Sequence, residues 1–471
     1  MYPKKALQQD YTLFRTILEK KHPALYWYTP KEEMDRIFDA GYESISDSMT
    51  ELMFGWKVLA PVTAAIHCGH TGFGMSPRWN RYIKYRLIPS FPLELKVWKD
   101  TMMVMADLNR GDSVMKRGTL ITSINGIGPS TLLPYMMDYM VEDGYADNVN
   151  YIRLSTGFPY FHRNIFGLYK KYRVGYLDST GKNQVITLPY FNPLPDSLAA
   201  RKDTVHRVKK SLEKSFHLTH KQKLEAIRSF QMDTGFALMT LNAFSKGHLR
   251  HFFQKTFRTL RKSGQKNLVI DIRANGGGDI NKYVLLTKFL RKTPFRVADS
   301  AYSVSRNFAP YTRYLTSGFF ANIGLRFLTH RESDGKYHFR YWERHTFRPK
   351  RKNHFNGHLY LLTNGLTFSA ATLFCNAVKG QDNVTLVGEE TGGGWYGNSG
   401  IIIPEIKLPH TGLRVRLPFF RIVQYHHIGV KGTGVMPDVY IGPRYEDLIR
   451  GVDTKMEWVK RHIRKSSLVQ N

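Results

Sequence analysis

The sequence predicts an α/β fold on three observations. From about 232 to 445, short apolar runs alternate with amphipathic stretches, the rhythm of repeated βα units. Three of those runs, NLVIDI, HLYLLT and VTLVGEE, are rich in apolar residues without strict alternation, as strands buried on both faces are. Gly264 and Gly380 follow the stretches HLRHFFQKTFRTLRKS and TFSAATLFCNAVK, where glycine ends a helix. The 471 residues exceed one small core and divide into several regions.

Region 1–80 reads as a helical domain. Leu7, Tyr11, Phe14, Ile17 and Leu18 recur at helical spacing, and Pro23 ends the stretch. Pro30 marks a new start in a first turn, and two further amphipathic segments follow, through Ile37, Tyr42 and Ile45 and through Leu52, Phe54, Val58 and Leu59. Region 85–200 is β-rich. LIPSFPLELKVW, TMMVMAD and TLITSINGI read as strands, with turns at Asn109–Gly111 and Asn125–Gly126. A helix is expected at about 129–141, then strands at 172–178 and 184–190 around Ser179-Thr-Gly181. Strands, then GTLITSING, then a helix resemble a divergent PDZ-like module. Region 201–230 is a basic connector of loop and helix, 231–450 is the α/β core, and 451–471 is a basic C-terminal tail. The aromatic, basic stretch 295–356 interrupts the core as an insertion, either a lid or a surface elaboration.

Lys plus Arg number 69 and Asp plus Glu 38, a formal charge of +31. With 42% hydrophobic and 13% aromatic residues, the chain is not intrinsically disordered. The basic clusters Arg201–Lys223, Arg344–Lys352 and Lys460–Lys465 come without a zinc finger, RNA-recognition signature or basic zipper. The charge therefore reads as a solvated surface, with contact to an anionic surface as the functional alternative and no specific nucleic-acid partner. Cys68 and Cys375 make neither a zinc cluster nor a disulfide framework. No run of about 18 apolar residues predicts a membrane span. The opening MYPKKALQQDY lacks the apolar centre of a secretion signal.

Four short motifs carry chemistry. In LLTNGLTFSAA a strand runs into an Asn-Gly turn, and a helix begins near Ser369. A serine there faces the partial positive charge and free N–H groups of a helix start, which suit a nucleophile whose attack creates an oxyanion. The N–H of Ala370 is the natural first donor. The alternative is an N-cap, by Ser369 or by Thr367. Asn275-Gly-Gly-Gly278 follows the strand NLVIDI and offers backbone N–H groups at close approach, or else a phosphate loop or plain turn. Neither a dinucleotide fingerprint nor a Walker loop is present. His67-Cys-Gly-His70 supplies an imidazole base, or two metal ligands three residues apart without an identifiable third. Gly432-Thr-Gly-Val-Met-Pro-Asp438 by itself reads as a turn.

Taken together and in this order, NLVIDIRANGGGD, LYLLTNGLTFSAATLFCNAVKG, VTLVGEETGGG and GTGVMPDVYI resemble the S41 serine peptidases, the family of tail-specific and tricorn-like proteases. EKKHPALYWYTP, AAIHCGHTG and SFPLEL…GTLITSING look like family members too. The resemblance implies a ClpP/crotonase-like core, nucleophile Ser369, and an oxyanion hole from Ala370, Gly276 and Gly277. The lysine of the tail-specific dyad falls on Gly394 and is missing, so the chain is closer to the tricorn-like branch, whose histidine falls on His70. That branch has a serine where Gly69 stands and a glutamate where Lys431 stands. Glu390, Glu389 and Asp279 are the candidates left for an orienting acid. The implied activity is a serine endopeptidase acting outside the cytoplasm, its signal removed, on peptide or protein substrates and without metal or cofactor. The alternative is a weak or inactive peptidase scaffold that binds peptides or apolar ligands. A substrate strand is expected along 396–404, on an exposed sheet edge.

Overall fold

The strands of the core owe their position to a two-residue periodicity with both faces apolar. In a computed structural model, which describes residues 1–84, 86, 88–110, 114–193, 218–316, 328–425 and 430–469, they form a six-stranded sheet. Its order is Val439–Tyr440, Val384–Gly388, His358–Thr363, Asn267–Asp271, Ala237–Leu241 and Arg228–Met232. The first five are parallel and the last is an antiparallel edge. Leu268, Ile270, Leu359 and Leu361 point into the main core, with helices Leu249–Ser263, Ile280–Leu290 and Ala370–Val378. Their neighbours Val269, Tyr360 and Leu362 point the other way, onto Val459 and Ile463 of helix Thr454–Val469. The C-terminal stretch is thus a helix that seals one face of the sheet rather than a tail. Edge strand Arg228–Met232 begins within the stretch expected as connector.

Helices Lys4–Lys21 and Lys31–Glu43 follow the apolar spacing, with Pro30 as N-cap rather than in the first turn. Leu7, Tyr11, Phe14 and Phe38 belong to the same core cluster as the α/β sheet, so this region shares the main core. A buried carboxylate joins the two: Asp10 accepts from the N–H groups of His410 (3.0 Å) and Thr411 (2.8 Å) and from Thr411 Oγ1 (2.7 Å).

The β-rich region is a five-stranded antiparallel meander, Leu93–Trp98, Thr101–Asp107, Leu120–Ile124, Lys171–Leu177 and Asn183–Pro189, with its own core. Helix Pro129–Met137 matches expectation, and Asn125 and Gly126 take the positive φ values (50° and 85°) of a tight hairpin turn. Helix Asn148–Phe166 was not expected. Gly157 and Pro159 inside it disguise a helix as a loop, and it kinks at Gly157. It packs against strand Leu93–Trp98.

The described part of the stretch 295–356 is built into the fold rather than laid on its surface. Ala298–Ser303 pairs with Phe420–Gln424 in a second sheet, and Phe295, Phe308, Trp342 and Phe347 enter the main core. The segment 317–327 within it lies outside the described residues, as does the connector cluster from Arg201 to 217. Gly397–Gly400 is an edge of this second sheet, and all four residues are buried, so the strand within 396–404 is not an exposed edge. A three-stranded sheet, Gly72–Gly74, Arg414–Arg416 and Glu405–Lys407, ties the residues just after His70 to the C-terminal half. Among the described residues, no helix is long and apolar enough to cross a membrane.

Asp10→Ala leaves three donors without an acceptor, each costing about 1–3 kcal/mol before relaxation. A loss of about 3 kcal/mol of unfolding free energy is expected. Chemical denaturation of the variant against the parent measures it.

Candidate active site

The strand His358–Thr363 ends in a turn set by side chains. Asn364 Oδ1 accepts from Leu366 N–H (2.9 Å), and Thr367 Oγ1 accepts from Asn364 N–H (3.2 Å). Two residues later Ser369 takes φ 54° and ψ −121°, and helix Ala370–Val378 begins. A non-glycine residue held there costs about 1–3 kcal/mol, which the surroundings must supply. As an N-cap, Ser369 would place Oγ on a first-turn N–H, but it makes no such bond. Its Oγ lies 3.0 Å from Nε2 of His70. Thr367 does not cap either: its hydroxyl accepts from Asn364 N–H rather than from a first-turn N–H, and donates to Ile272 O (3.1 Å).

His70 stands in a turn between helix Ala60–Ala64 and strand Gly72–Gly74. Its ring packs on Phe368, with centroids 4.9 Å apart, and its buried Nδ1 has no protein partner. Burial pushes its pKa below the usual imidazole value, Asp143 opposes that shift, and Arg416 and Arg153 reinforce it. Gly69 lies against both Phe368 and Asp143, so a side chain there would collide with the Phe368 ring. The absence of a serine at 69 therefore has a steric reason in this chain. His67 does not join His70. It takes φ 53° and bonds through Nδ1 to Glu142 Oε1 (3.0 Å), and its carbonyl accepts from Gly144 N–H (2.9 Å). The described residues contain no group of three or more metal-ligating side chains.

The glycine loop reaches the serine through its backbone. Asn275 O accepts from Phe368 N–H (3.0 Å), which brings Gly276 and Gly277 beside Ser369. A Cβ on Gly277, whose φ is +102°, would stand 2.7 Å from Ser369 Cβ. The two glycines differ in what they offer. The Gly277 N–H donates to Asn275 Oδ1 (2.9 Å), so it is already engaged and is corrected from donor to spacer. The N–H groups of Gly276 and of Ala370, the first residue of the helix, have no acceptor among the described residues.

The carboxylates expected beside the imidazole are elsewhere. Glu389 is ion-paired with Lys455, and Glu390 accepts from Gly434 N–H (2.6 Å). Asp279 caps helix Ile280–Leu290 through Asn281 N–H (2.9 Å). Lys431 lies with Nζ 4.9 Å from the Trp27 ring centroid. The acid nearest in role is Asp143, 2% exposed, which sequence reasoning missed. Its Oδ1 accepts from Gly69 N–H (2.8 Å) and its Oδ2 from Gly394 N–H (3.3 Å). It thus clamps the histidine turn to the glycine run 392–394, where Gly393 lies against Ser369 N and Thr372. The only signal was a DG dipeptide, Asp143–Gly144, which reads as a turn.

A serine Oγ on an imidazole, two backbone donors beside it and a βα core define a serine hydrolase site. Residues 235–441, the α/β core, match the model of peptidase family S41, a family of serine peptidases. Among solved structures, mature CPAF complexed with lactacystin is 13% identical, with TM-score 0.62 over 98% of this chain and 97% of that one. A CPAF mutant is also 13% identical, with TM-score 0.62 over 93% of each. At that identity the likeness is one of fold. No curated protein matches the chain.

Two outcomes are expected. Gly277→Ala forces Ser369 or the glycine loop to move, and kcat/KM should fall at least about 100-fold, since small misplacements of a nucleophile cost that much. Asp143→Asn removes the negative charge that favours protonated His70. The acid limb of kcat/KM, which rises as His70 loses its proton, should then move to lower pH, with a lower plateau. A pH–rate profile of the folded variant measures both.

Proposed function

We propose that the chain is an endopeptidase that hydrolyses peptide bonds through an acyl-enzyme on Ser369, with His70 as its base. The observation that carries this reading is the 3.0 Å contact between Ser369 Oγ and His70 Nε2, made by a serine held at positive φ. Neutral His70, favoured by burial, takes the hydroxyl proton as Oγ attacks the scissile carbonyl carbon. The oxyanion then lies near the N–H groups of Ala370 and Gly276. His70 returns the proton to the leaving amine, and water, deprotonated by the same imidazole, releases the acyl group.

Asp143 is a positioning residue in this scheme. It holds the histidine turn through Gly69 N–H, and its charge stabilises the imidazolium that forms during each proton transfer. A weakly active peptide-binding scaffold is the second reading. It draws on the unpartnered Nδ1 of His70, which leaves the imidazole tautomer without an orienting acceptor.

A fluorophosphonate probe should label Ser369 in the parent, and neither Ser369→Ala nor His70→Ala should be labelled. Peptide turnover should fall by roughly six orders of magnitude in Ser369→Ala, as when a triad serine is removed. His67→Ala should cost far less. A folded parent that neither labels nor turns over peptide favours the scaffold.

A further inference from the structure

We propose that the cleft beside His70 selects peptides carrying an acidic side chain, Asp or Glu, next to the scissile bond, and that Arg153 and Arg416 recognise its carboxylate. The proposal rests on the peptidase reading above for the bond that is cut. The cleft has a volume of about 590 Å³. Gly69, His70, Gly276 and Phe368 line it on the reacting side, so whatever fills it flanks the scissile carbonyl.

Two elements bring arginines to the same cleft. Arg153 stands one turn beyond Val149 on helix Asn148–Phe166, and both line the cleft. Its Nη1 is anchored on Val141 O and on Asn150 Oδ1, and no carboxylate pairs with it among the described residues. Arg416 comes from strand Arg414–Arg416, in register with Gly72, two residues after His70. A Cβ on Gly72 would stand 3.3 Å from Arg416 Nη2, so glycine leaves the guanidinium its place. Arg416 is exposed, and its side chain has neither a hydrogen bond nor an ion pair among the described residues.

The neighbouring acids act on Arg153 through space, Glu142 and then Asp143 favouring its charge, but none forms an ion pair with either arginine among the described residues. Glu405 lines the cleft, but its Oε2 is ion-paired with Arg414 (3.2 Å). Behind Arg153, Glu142 is held by His67 (3.0 Å) and Asn150 (2.5 Å), and Asp143 by two backbone N–H groups. Arg416 disfavours positive charge on Arg153, and both arginines disfavour it on His70, which places the three within one electrostatic neighbourhood. A carboxylate between them would relieve that repulsion and accept the forked N–H groups that arginine presents. A residue adjacent to the scissile bond reaches the cleft with its side chain. A chain-terminal carboxylate placed there would restrict the enzyme to releasing single residues.

The test uses end-blocked fluorogenic peptides with Glu, Asp, Gln or Lys on either side of the cleavage point. The acidic peptides should have kcat/KM about 10- to 100-fold above their amide counterparts, the range that a hydrogen bond to a charged group supplies. Arg416→Gln should abolish that ratio while Ser369 still labels with a fluorophosphonate, and Arg416→Glu should turn the preference toward Lys. Binding of the same peptides to Ser369→Ala, by fluorescence anisotropy, reads the cleft without catalysis. It separates failure of the cleft from failure of the peptidase reading. Equal handling of Glu and Gln in both assays overturns the proposal. So does a peptide whose sole carboxylate is its free C-terminus performing as well as the acidic ones.

Discussion

The buried carboxylate of Asp143 is the tie on which the site depends. Ser369 and His70 are separated by 299 positions, and each sits in a turn that has no reason of its own to face the other. Asp143 takes one N–H from each side, Gly69 from the histidine turn and Gly394 from the loop over the serine helix. A charged acceptor makes stronger hydrogen bonds than a neutral one, and burial protects them from water. The same charge partly offsets the burial that keeps His70 neutral. One residue thus ties the two turns together and tempers the effect of burial on the base.

Close approach is the second constraint. Gly69, Gly277 and Gly393 each lie where a Cβ would meet Phe368, Ser369 or Thr372. These contacts hold Ser369 in a conformation that it would not choose alone, and the backbone bond from Phe368 N–H to Asn275 O reinforces it. The conformational cost is carried by packing around the elbow. In return, the hydroxyl reaches the imidazole instead of closing back on its own helix.

The positive charge acquires a local meaning at the cleft. Among the described residues, none from the clusters conspicuous in the sequence lines it. Arg344, from one of them, pairs with Glu332 away from the cleft. Arg153 and Arg416, inconspicuous in the sequence, face His70 from a helix and a strand that are 263 residues apart by their numbering, 416 less 153. A count of charges records none of this, because the consequence of a charge depends on its partners and its solvent exposure.

Local pattern was enough for the α/β core and for the nucleophile's turn. Strands such as NLVIDI and HLYLLT declare themselves by apolar runs, and the Asn-Gly turn before Ser369 is set by residues within a few positions. Helix Asn148–Phe166 was hidden because Gly157 and Pro159 argue locally against it, and packing on the meander overrides them. The stretch 295–356 looked like an insertion because its strand finds a partner only at 420–424. Glu389 and Glu390 were plausible acids by position alone, until Lys455 and Gly434 engaged them. Sequence by itself thus determined which groups could react, since their chemistry and turns are local. Which carboxylate supports His70, which glycine keeps a free N–H and which arginines meet in the cleft were decided only by tertiary structure, because hydrogen bonding and charge act through space across segments the chain does not order by proximity.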